Sequence, residues 1–396
     1  VLPALGTTTQ DAPQDAAGLR DVLAPLIGAP GLGDKGAASV IDTATGEQLY
    51  GKGATAPMTP ASTIKIATTT AALSVLGPDH RIATTAALSP DSRTLTLVGG
   101  GDPTLSKAAL RSMADRVAEA IREDGTPSVR LTYDLSRYTG PVLHPISPNE
   151  NIAPVTALMV NEGRVNDTDR GPAKRTDDPA GDAARTFAVA LKKAGVKVTG
   201  APREARAADE ARTVATHRSA PLDALVERTL TNSDNDIAEA LARQTAIAKG
   251  ESASFAGARR AVANELKKLK VPVGGAHFAD GSGLDRKDRV TPALLTALLA
   301  RAADPDRPGL RPVLTGLPIA GFSGTLGGRY APDAEGTGLI RAKTGTLFGV
   351  NSLAGTVVDR QGRLLAFAFL ASGSIDAGEA EPALDALATA LAGTGG

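Results

Sequence analysis

Apolar side chains along this chain follow either a helical or an extended spacing. Between residues 107 and 124 they recur every three or four positions, which predicts an amphipathic helix. Apolar spacing with Gly or Pro stops predicts further helices over residues 183–194, 221–230, 237–249, 254–269, 292–302 and 382–391. Short apolar runs between turn residues predict strands over residues 37–42, 47–51, 81–88, 93–98, 129–133, 196–198, 339–344, 352–359 and 364–370.

The segment 63–76 departs from the amphipathic pattern. It is apolar nearly all round and stops at Gly77-Pro78, so we expect a helix that is buried on most sides. Lys65 lies inside this segment, and a lysine in a buried helix needs an explanation. The stretch 161–182, by contrast, is highly charged and is expected to form a surface excursion.

Composition narrows the possible functions. The 396 residues include 43 basic and 43 acidic side chains but no Cys and no Trp. The missing cysteines exclude a disulfide scaffold, a thiolate zinc site, an iron–sulfur cluster and a cysteine nucleophile. Zero net charge and few aromatic side chains argue against a nucleic-acid-binding protein.

Two features bear on the cellular location. No stretch approaches the roughly 20 apolar residues that a membrane-spanning helix needs. The first residue is Val1 and no basic-then-apolar leader precedes the first pattern, which suits a processed exported protein.

The only Ser-x-x-Lys in the chain places Ser62 and Lys65 one helical turn apart. Residues three apart share a helix face, so the hydroxyl should lie within hydrogen-bond reach of the amine. Burial lowers the pKa of a lysine, and the neutral amine can then take the proton from a serine nucleophile. About one such motif is expected by chance in a chain of this length. Taken alone, it fits better a Ser62 helix cap beside a Lys65 that reaches solvent.

A second motif, Ser233-Asp234-Asn235, falls in the break between two predicted helices. A loop there can project a hydroxyl and an amide into a cleft. All three residue types also favour helix N-caps, so this motif is weak when taken alone.

The third motif is Lys343-Thr344-Gly345, followed by Thr346, at the end of a predicted strand. Lysine supplies a cation, the threonine hydroxyls donate hydrogen bonds, and glycine permits close approach of a ligand. Chance would give Lys-Thr-Gly only about 0.1 times in such a chain. The alternative is a charged strand end before a turn.

Together, the three motifs occur in the order and on the elements typical of serine β-lactamases and penicillin-binding proteins. More of the chain resembles one branch, the D-alanyl-D-alanine carboxypeptidase/endopeptidase family of low-molecular-mass class C penicillin-binding proteins. The segments that carry this resemblance are residues 60–65, 97–103, 153–158, 280–284, 290–292 and 320–326.

The resemblance implies a role for each motif residue. Ser62 would be the acyl-forming nucleophile and Lys65 its general base. Ser233 would relay a proton toward the leaving amine, and Asn235 would hydrogen-bond the substrate amide. Lys343 would tune Ser233 and supply positive potential for the terminal carboxylate.

The strand that carries Lys343 is implied to bind substrate through Thr344, Gly345 and Thr346, with both hydroxyls on the terminal carboxylate. The backbone N–H groups of Ser62 and Thr346 would form an oxyanion hole. No metal and no cofactor are expected.

The resemblance also implies an α/β fold of the α+β type. This is a serine β-lactamase/DD-peptidase-like domain with a five-stranded antiparallel sheet flanked by helices, and the predicted N-terminal pair and C-terminal trio of strands add up to five. An inserted α+β domain over residues 81–215 would divide the catalytic domain into residues 1–80 and 216–396. Well-known members carry a further domain nested in this insert. Only about twenty charged residues occupy its place here, so we expect it to be missing or vestigial.

The expected protein is a serine DD-peptidase that hydrolyses the terminal D-Ala-D-Ala bond of peptidoglycan stem peptides outside the cytoplasm of a bacterium. An endopeptidase acting on D-amino-acid cross-links fits the same residues, and penicillins would acylate Ser62. A serine β-lactamase is the nearest rival. The only tempting carboxylate for its deacylation, Glu150, precedes the Ser-Asp-Asn motif, whereas the class A carboxylate follows it.

Two other classes are weaker. A non-catalytic β-lactam sensor or peptidoglycan-binding protein would not need all of the motif residues. A Ser-His-Asp esterase is disfavoured because the chain has no Gly-x-Ser-x-Gly. The four histidines are expected to be solvated or structural, namely His80, His144, His217 and His277.

Overall fold

The computed structural model describes residues 16–125, 128–146, 149–373 and 376–393. The α-helices in these ranges are α1 Ala16–Leu26, α2 Lys65–Leu76, α3 Lys107–Glu123, α4 Pro179–Lys193, α5 Leu222–Asn232, α6 Asn235–Ala248, α7 Phe255–Lys268, α8 Pro292–Ala303, α9 Pro312–Thr315 and α10 Ala377–Gly393. The strands are β1 Lys35–Asp42, β2 Gln48–Lys52, β3 Ala83–Leu88, β4 Thr94–Val98, β5 Val129–Asp134, β6 Val198–Glu204, β7 Arg212–Arg218, β8 Arg341–Leu347, β9 Val350–Val358 and β10 Leu364–Ser372.

Five of the strands form an antiparallel sheet in the order β2-β1-β10-β9-β8. β1 pairs with β10 along its whole length, from Lys35 opposite Ser372 to Asp42 opposite Leu365. The predicted sheet of two N-terminal and three C-terminal strands is therefore confirmed. β8 is an edge strand, which leaves one of its sides free of sheet partners.

Helices cover both faces of this sheet. Buried side chains of α2, α5, α6, α7 and α8 fill one face, and those of α1 and α10 fill the other. Successive residues of a strand point to opposite faces. Phe367 and Phe369 of β10 accordingly stack together on the α10 side, whereas Ala368 faces the other layer. A strand buried on both faces needs apolar residues throughout, which explains the continuous apolar run of β10.

The other five strands form a mixed sheet in the order β6-β5-β4-β3-β7. α3 and α4 pack on it around a separate hydrophobic cluster. Sequence patterns missed β7 and gave only the first residue of β6, because both are edge strands with few buried side chains. Only Ala215 of β7 is buried, and no residue of β6 is. In the described ranges, none of the helices has the length and apolar character needed to cross a membrane.

Candidate active site

Ser62 lies in a short 3₁₀ turn, Ala61–Ile64, that leads directly into α2. The preceding Ala61 has a φ of 48°, in the left-handed region that non-glycine residues seldom adopt. Neither the turn nor α2 has a side-chain cap. The helix-cap alternative for Ser62 is therefore wrong, and the half-buried hydroxyl is left facing the cleft.

The Lys65 amine is wholly buried and lies between three oxygens. It is 2.9 Å from Ser62 Oγ, 2.7 Å from Asn235 Oδ1 and 2.6 Å from the Ser282 carbonyl. Burial lowers the pKa of Lys65 to about 8, while nearby carboxylates, Asp280 foremost, oppose a further fall. A substantial share of neutral amine near physiological pH allows Lys65 to accept the hydroxyl proton of Ser62.

Ser233 and Asn235 flank the junction of α5 and α6. Ser233 has left-handed backbone angles, φ 58° and ψ 38°, and ends α5. The Asp234 side chain caps α6 by accepting from the Ile237 N–H at 3.0 Å. Asn235 accepts from Lys65 and donates to the Asn151 carbonyl at 3.0 Å. The cap expected of this motif is present, but it belongs to Asp234 and leaves Ser233 and Asn235 free to face the cleft.

The Lys-Thr-Gly segment lies in the middle of the edge strand β8, not at a strand end as the sequence pattern predicted. A Cβ atom added to Gly345 would lie 2.7 Å from the Pro60 carbonyl oxygen and 3.0 Å from the Ser62 nitrogen. Only glycine permits this approach, which brings β8 against the turn that holds Ser62. The Thr344 and Thr346 side chains line the cleft beside it.

The Lys343 amine is also wholly buried. The one acceptor that the described residues offer it is the Thr344 carbonyl, at 2.7 Å. Burial lowers the pKa of Lys343 well below its ordinary value, and the charges of Lys65 and Arg329 lower it further. The surroundings of Lys343 in the structure therefore disfavour its charged form, whereas the resemblance implied that it supplies positive potential for the terminal carboxylate.

The predicted residues Ser62, Ser233, Asn235, Thr344 and Thr346 line one cleft. Asp234 of the second motif and Leu284 of the segment 280–284 also line it, and so do residues that sequence patterns did not single out, namely Asn151, Arg164, Gly171, Pro172, Arg175 and Asn232. The expected surface excursion over residues 161–182 is thus partly wrong, since four of its residues, Arg164, Gly171, Pro172 and Arg175, form a wall of the cleft.

One arginine–carboxylate pair ties that wall to the start of α6, beside the Ser-Asp-Asn loop, and a second pair forms within the wall. Arg175 Nη2 donates to Asp236 at 3.0 Å, and Arg164 Nε donates to Glu162 at 2.8 Å. All four side chains are at most 3% exposed, so these pairs act as buried clamps. Burial raises the pKa of Glu162 to about 8 and that of Asp236 to about 7. The signal in the sequence was only a run of charges, which does not show which of them turn inward.

The Ser282 carbonyl that receives Lys65 belongs to a loop held by carboxylates. Asp280 accepts from the backbone N–H groups of Ser282, Gly283, Leu284 and Asp285. Glu239 Oε1 accepts from the Gly281 and Ser282 N–H groups at 2.8 and 3.0 Å. This network fixes the direction of the Ser282 carbonyl.

Among the described residues, two buried groups of carboxylate and histidine side chains bring possible metal-ligand atoms within 4.8 Å of one another. In the group Glu162, Asp234 and Asp236, arginines already pair with the carboxylates. In the group His144, Glu239 and Asp280, backbone N–H groups and Arg243 occupy the carboxylate oxygens. Both groups therefore form hydrogen-bonded networks that support the cleft.

A Ser–Lys pair, a Ser-Asp-Asn loop and a Lys-Thr-Gly edge strand around one cleft define the class of serine β-lactamases and DD-peptidases. The profile of the D-Ala-D-Ala carboxypeptidase 3 (S13) family matches residues 19–172 and 167–393, and the chain belongs to this family. It is a D-Ala-D-Ala carboxypeptidase of the penicillin-binding type.

Individual relatives agree with this assignment. A carboxypeptidase of Mycobacterium tuberculosis is 39% identical over 401 residues, which cover 95% of this chain and 84% of the relative. A D-alanyl-D-alanine carboxypeptidase of Actinomadura sp. is 30% identical over 441 residues, covering 89% of this chain and 80% of the relative. The structure of penicillin binding protein 4 from Haemophilus influenzae shares the fold, with a TM-score of 0.76 at 21% identity over 94% of this chain and 98% of that one.

Proposed function

We propose that the chain cleaves D-Ala-D-Ala through an acyl-enzyme on Ser62. The observation that carries this proposal is the buried Lys65 amine, 2.9 Å from the Ser62 hydroxyl and with a pKa lowered to about 8. As Ser62 Oγ attacks the carbonyl carbon of the scissile bond, Lys65 takes the hydroxyl proton. Ser233 relays this proton from Lys65 to the leaving amine, the C–N bond breaks, and the terminal D-alanine departs, which leaves Lys65 neutral again. Water then attacks the ester, and Lys65 takes a proton from this water and returns it to Ser62 Oγ as the ester bond breaks.

The same cleft supports the remaining roles. The N–H groups of Ser62 and Thr346 stabilise the oxyanion, since Gly345 brings β8 close to the Ser62 nitrogen. Thr344, Thr346 and the Lys343 amine receive the terminal carboxylate. The substrates are peptidoglycan stem peptides, either free or cross-linked, and β-lactams acylate the same serine. Peptidoglycan lies outside the cytoplasmic membrane, which supports an extracytoplasmic location in a bacterium.

Mass spectrometry tests the proposal. Incubation with penicillin should add one penicillin mass to Ser62, and incubation with purified muropeptides should release D-alanine. Ser62→Ala should lose both, whereas Thr63→Ser, a neighbour whose hydroxyl turns inward to the Pro60 carbonyl, should keep both. Labelling of Ser62→Ala on another residue would overturn the assignment.

A nitrocefin assay separates the rival classes. Rapid multiple turnover would identify a β-lactamase. The Glu150 side chain is exposed, and it is not among the described residues that line the cleft, so the structure offers it no deacylating role. Acylation without any release of D-alanine from muropeptides would favour a sensor.

We also propose that residues 1–80 and 216–396 form the catalytic domain and that residues 81–215 form an insert. In support, the cluster beneath the mixed sheet draws all of its members from residues 86–215. The two clusters around the antiparallel sheet draw theirs from residues 19–82 and 222–392. The alignment with the Actinomadura enzyme is longer than this whole chain, which supports the missing nested domain. Residues 1–15 lie outside the described residues.

A further inference from the structure

His144 is buried beside the loop that holds the proposed general base. The sequence predicted only that this histidine would be solvated or structural. Its side chain is 1% exposed, and its Nε2 lies 2.7 Å from Asp280 Oδ2. The ring packs edge-on against Phe255, with centroids 5.5 Å apart. Its other nitrogen, Nδ1, accepts from the Ile146 N–H at 3.3 Å. His144 is therefore fixed from both sides of the ring.

The partner of His144 organises the backbone that receives Lys65. Asp280 Oδ2 accepts from His144, from the Ser282 hydroxyl at 2.9 Å and from the Leu284 N–H at 3.0 Å. The Ser282 carbonyl is in turn 2.6 Å from the Lys65 amine. A continuous path of hydrogen bonds thus runs from the imidazole to the general base.

We propose that His144 is a positioning residue that fixes Asp280 and, through the Ser282 carbonyl, sets the place and basicity of the Lys65 amine. The proposal rests on the proposed role of Lys65 as general base. It assigns a part in the reaction to the segment between β5 and α4, which contributes none of the three motifs.

Electrostatics support the direction of this coupling. Burial opposes the charged imidazole, but the hydrogen bond and charge of Asp280 outweigh it and raise the pKa of His144. Asp280 is also the carboxylate that most strongly supports the Lys65 ammonium. A partner that occupies Asp280 therefore leaves less of its charge to Lys65 and favours the neutral amine.

Other ionisable groups face the two ends of this path. Those that act on His144 are Asp280, Glu239 and Asp285. Those that act on Lys65 are Asp280, Asp234, Glu239 and Asp288, with Lys343 on the opposite side. None of them is altered in the variants below, so a change in the pH profile reports on His144.

The test is the pH dependence of acylation of the full chain by a fluorescent penicillin. The acylation rate should rise with pH as Lys65 loses its proton. In His144→Ala, the midpoint of this rise should move up by about one pH unit, so that the acylation rate at pH 7 falls about tenfold. His144→Gln keeps one donor for Asp280 and should recover part of the shift. His277→Ala, which changes an exposed histidine, should match the wild type. An unchanged midpoint in His144→Ala, or a loss that is equal at every pH, would overturn the proposal.

A second measurement does not depend on the folding of His144 variants. Coupling between two sites is reciprocal, so removing the Lys65 ammonium should raise the pKa of His144. NMR titration of the imidazole in the wild type and in Lys65→Ala measures this shift, and the same midpoint in both proteins would contradict the inference. If penicillin did not label Ser62 in the wild type, the proposed function itself would be refuted. The two failures are therefore distinguishable.

Discussion

The surroundings of Lys65 and of Lys343 differ, although both side chains are fully buried in the same site. Lys65 has three oxygen neighbours and several carboxylates nearby, and its pKa falls only to about 8. Lys343 has one carbonyl neighbour and two cationic ones, and its pKa falls well below the ordinary value. The nearby charges, and not burial alone, therefore set how far the pKa of each lysine falls.

The difference assigns the two amines different tasks. A pKa of about 8 suits Lys65 for the general-base role proposed for it. Lys343 lacks an anionic partner among the described residues, and a substrate carboxylate would supply one. We expect a bound carboxylate to favour the charged form of Lys343 and so to raise its pKa.

The largest expected effect comes from removing the base. Lys65→Ala should slow acylation by penicillin by a factor of about 10³, because general base catalysis contributes on the order of 10²–10⁴. Stopped-flow labelling and a thermal melt measure rate and folding together. If Lys343→Ala slowed acylation equally at saturating ligand, the division of tasks between the two lysines would be wrong.

The pH profile tests which amine titrates. Protonation removes the basicity of Lys65, whose pKa is about 8, so acylation should fall about tenfold for each unit below that value. Lys343→Met should keep this limb, because Lys65 is the amine proposed to accept the Ser62 proton. A limb that disappears in Lys343→Met would show that Lys343 is the titrating base.

The pairing of Lys343 with the substrate carboxylate should be visible in KM. Lys343→Met should raise KM for a D-Ala-D-Ala peptide about tenfold to a hundredfold, since a hydrogen bond to a charged group contributes about 1.5–3 kcal/mol. The matched control is the same peptide with a carboxamide terminus, for which KM should be nearly the same in the wild type and in Lys343→Met. An equal loss with both peptides would point to a packing defect.

The smallest effect concerns the carboxylates around Lys65. Burial and the Asp280 charge raise the pKa of Asp288 to about 11, so folding takes up a proton and stability falls as pH rises from about 4 toward 11. In Asp288→Asn the side chain is neutral at every pH, so the free energy of unfolding at pH 8 should rise by about 2 kcal/mol.

Thermal unfolding at several pH values checks this last prediction. Asp288→Asn should flatten the alkaline decline in Tm. Asp285→Asn is the control on the same loop, because Asp285 accepts from the Lys287 N–H. A lower Tm for Asp288→Asn at pH 8 would show that its carboxyl is ionised in the folded protein.

Much of the catalytic half was predictable from local patterns. The strands β9 and β10 have apolar runs because they are buried on both faces. Ser62, Lys65 and Lys343 fall in short motifs whose spacing reflects helix and strand geometry. The edge strands β6 and β7 were less visible, because solvent faces most of their side chains.

The supporting residues of the cleft were beyond sequence reasoning for another reason. Arg175 and Asp236 are 61 positions apart, and His144 and Asp280 are 136 apart. Nothing local distinguishes a buried arginine in a charged run from its exposed neighbours. Such pairs exist only after the chain has brought distant segments together.

The pairing of β1 with β10 has a consequence for how activity arises. Ala38 lies opposite Phe369, so the two strands that meet at the centre of the antiparallel sheet are separated by more than three hundred residues. A ribosome must therefore finish residues 364–372 before β1 and β2 find their place, and long-range pairing of this kind is slow. The nascent polypeptide carries Ser62 and Lys65 early, whereas Lys343 on β8 and the strand that pairs with β1 come last. We therefore expect the three motifs to meet around one cleft only after the last strands have been made.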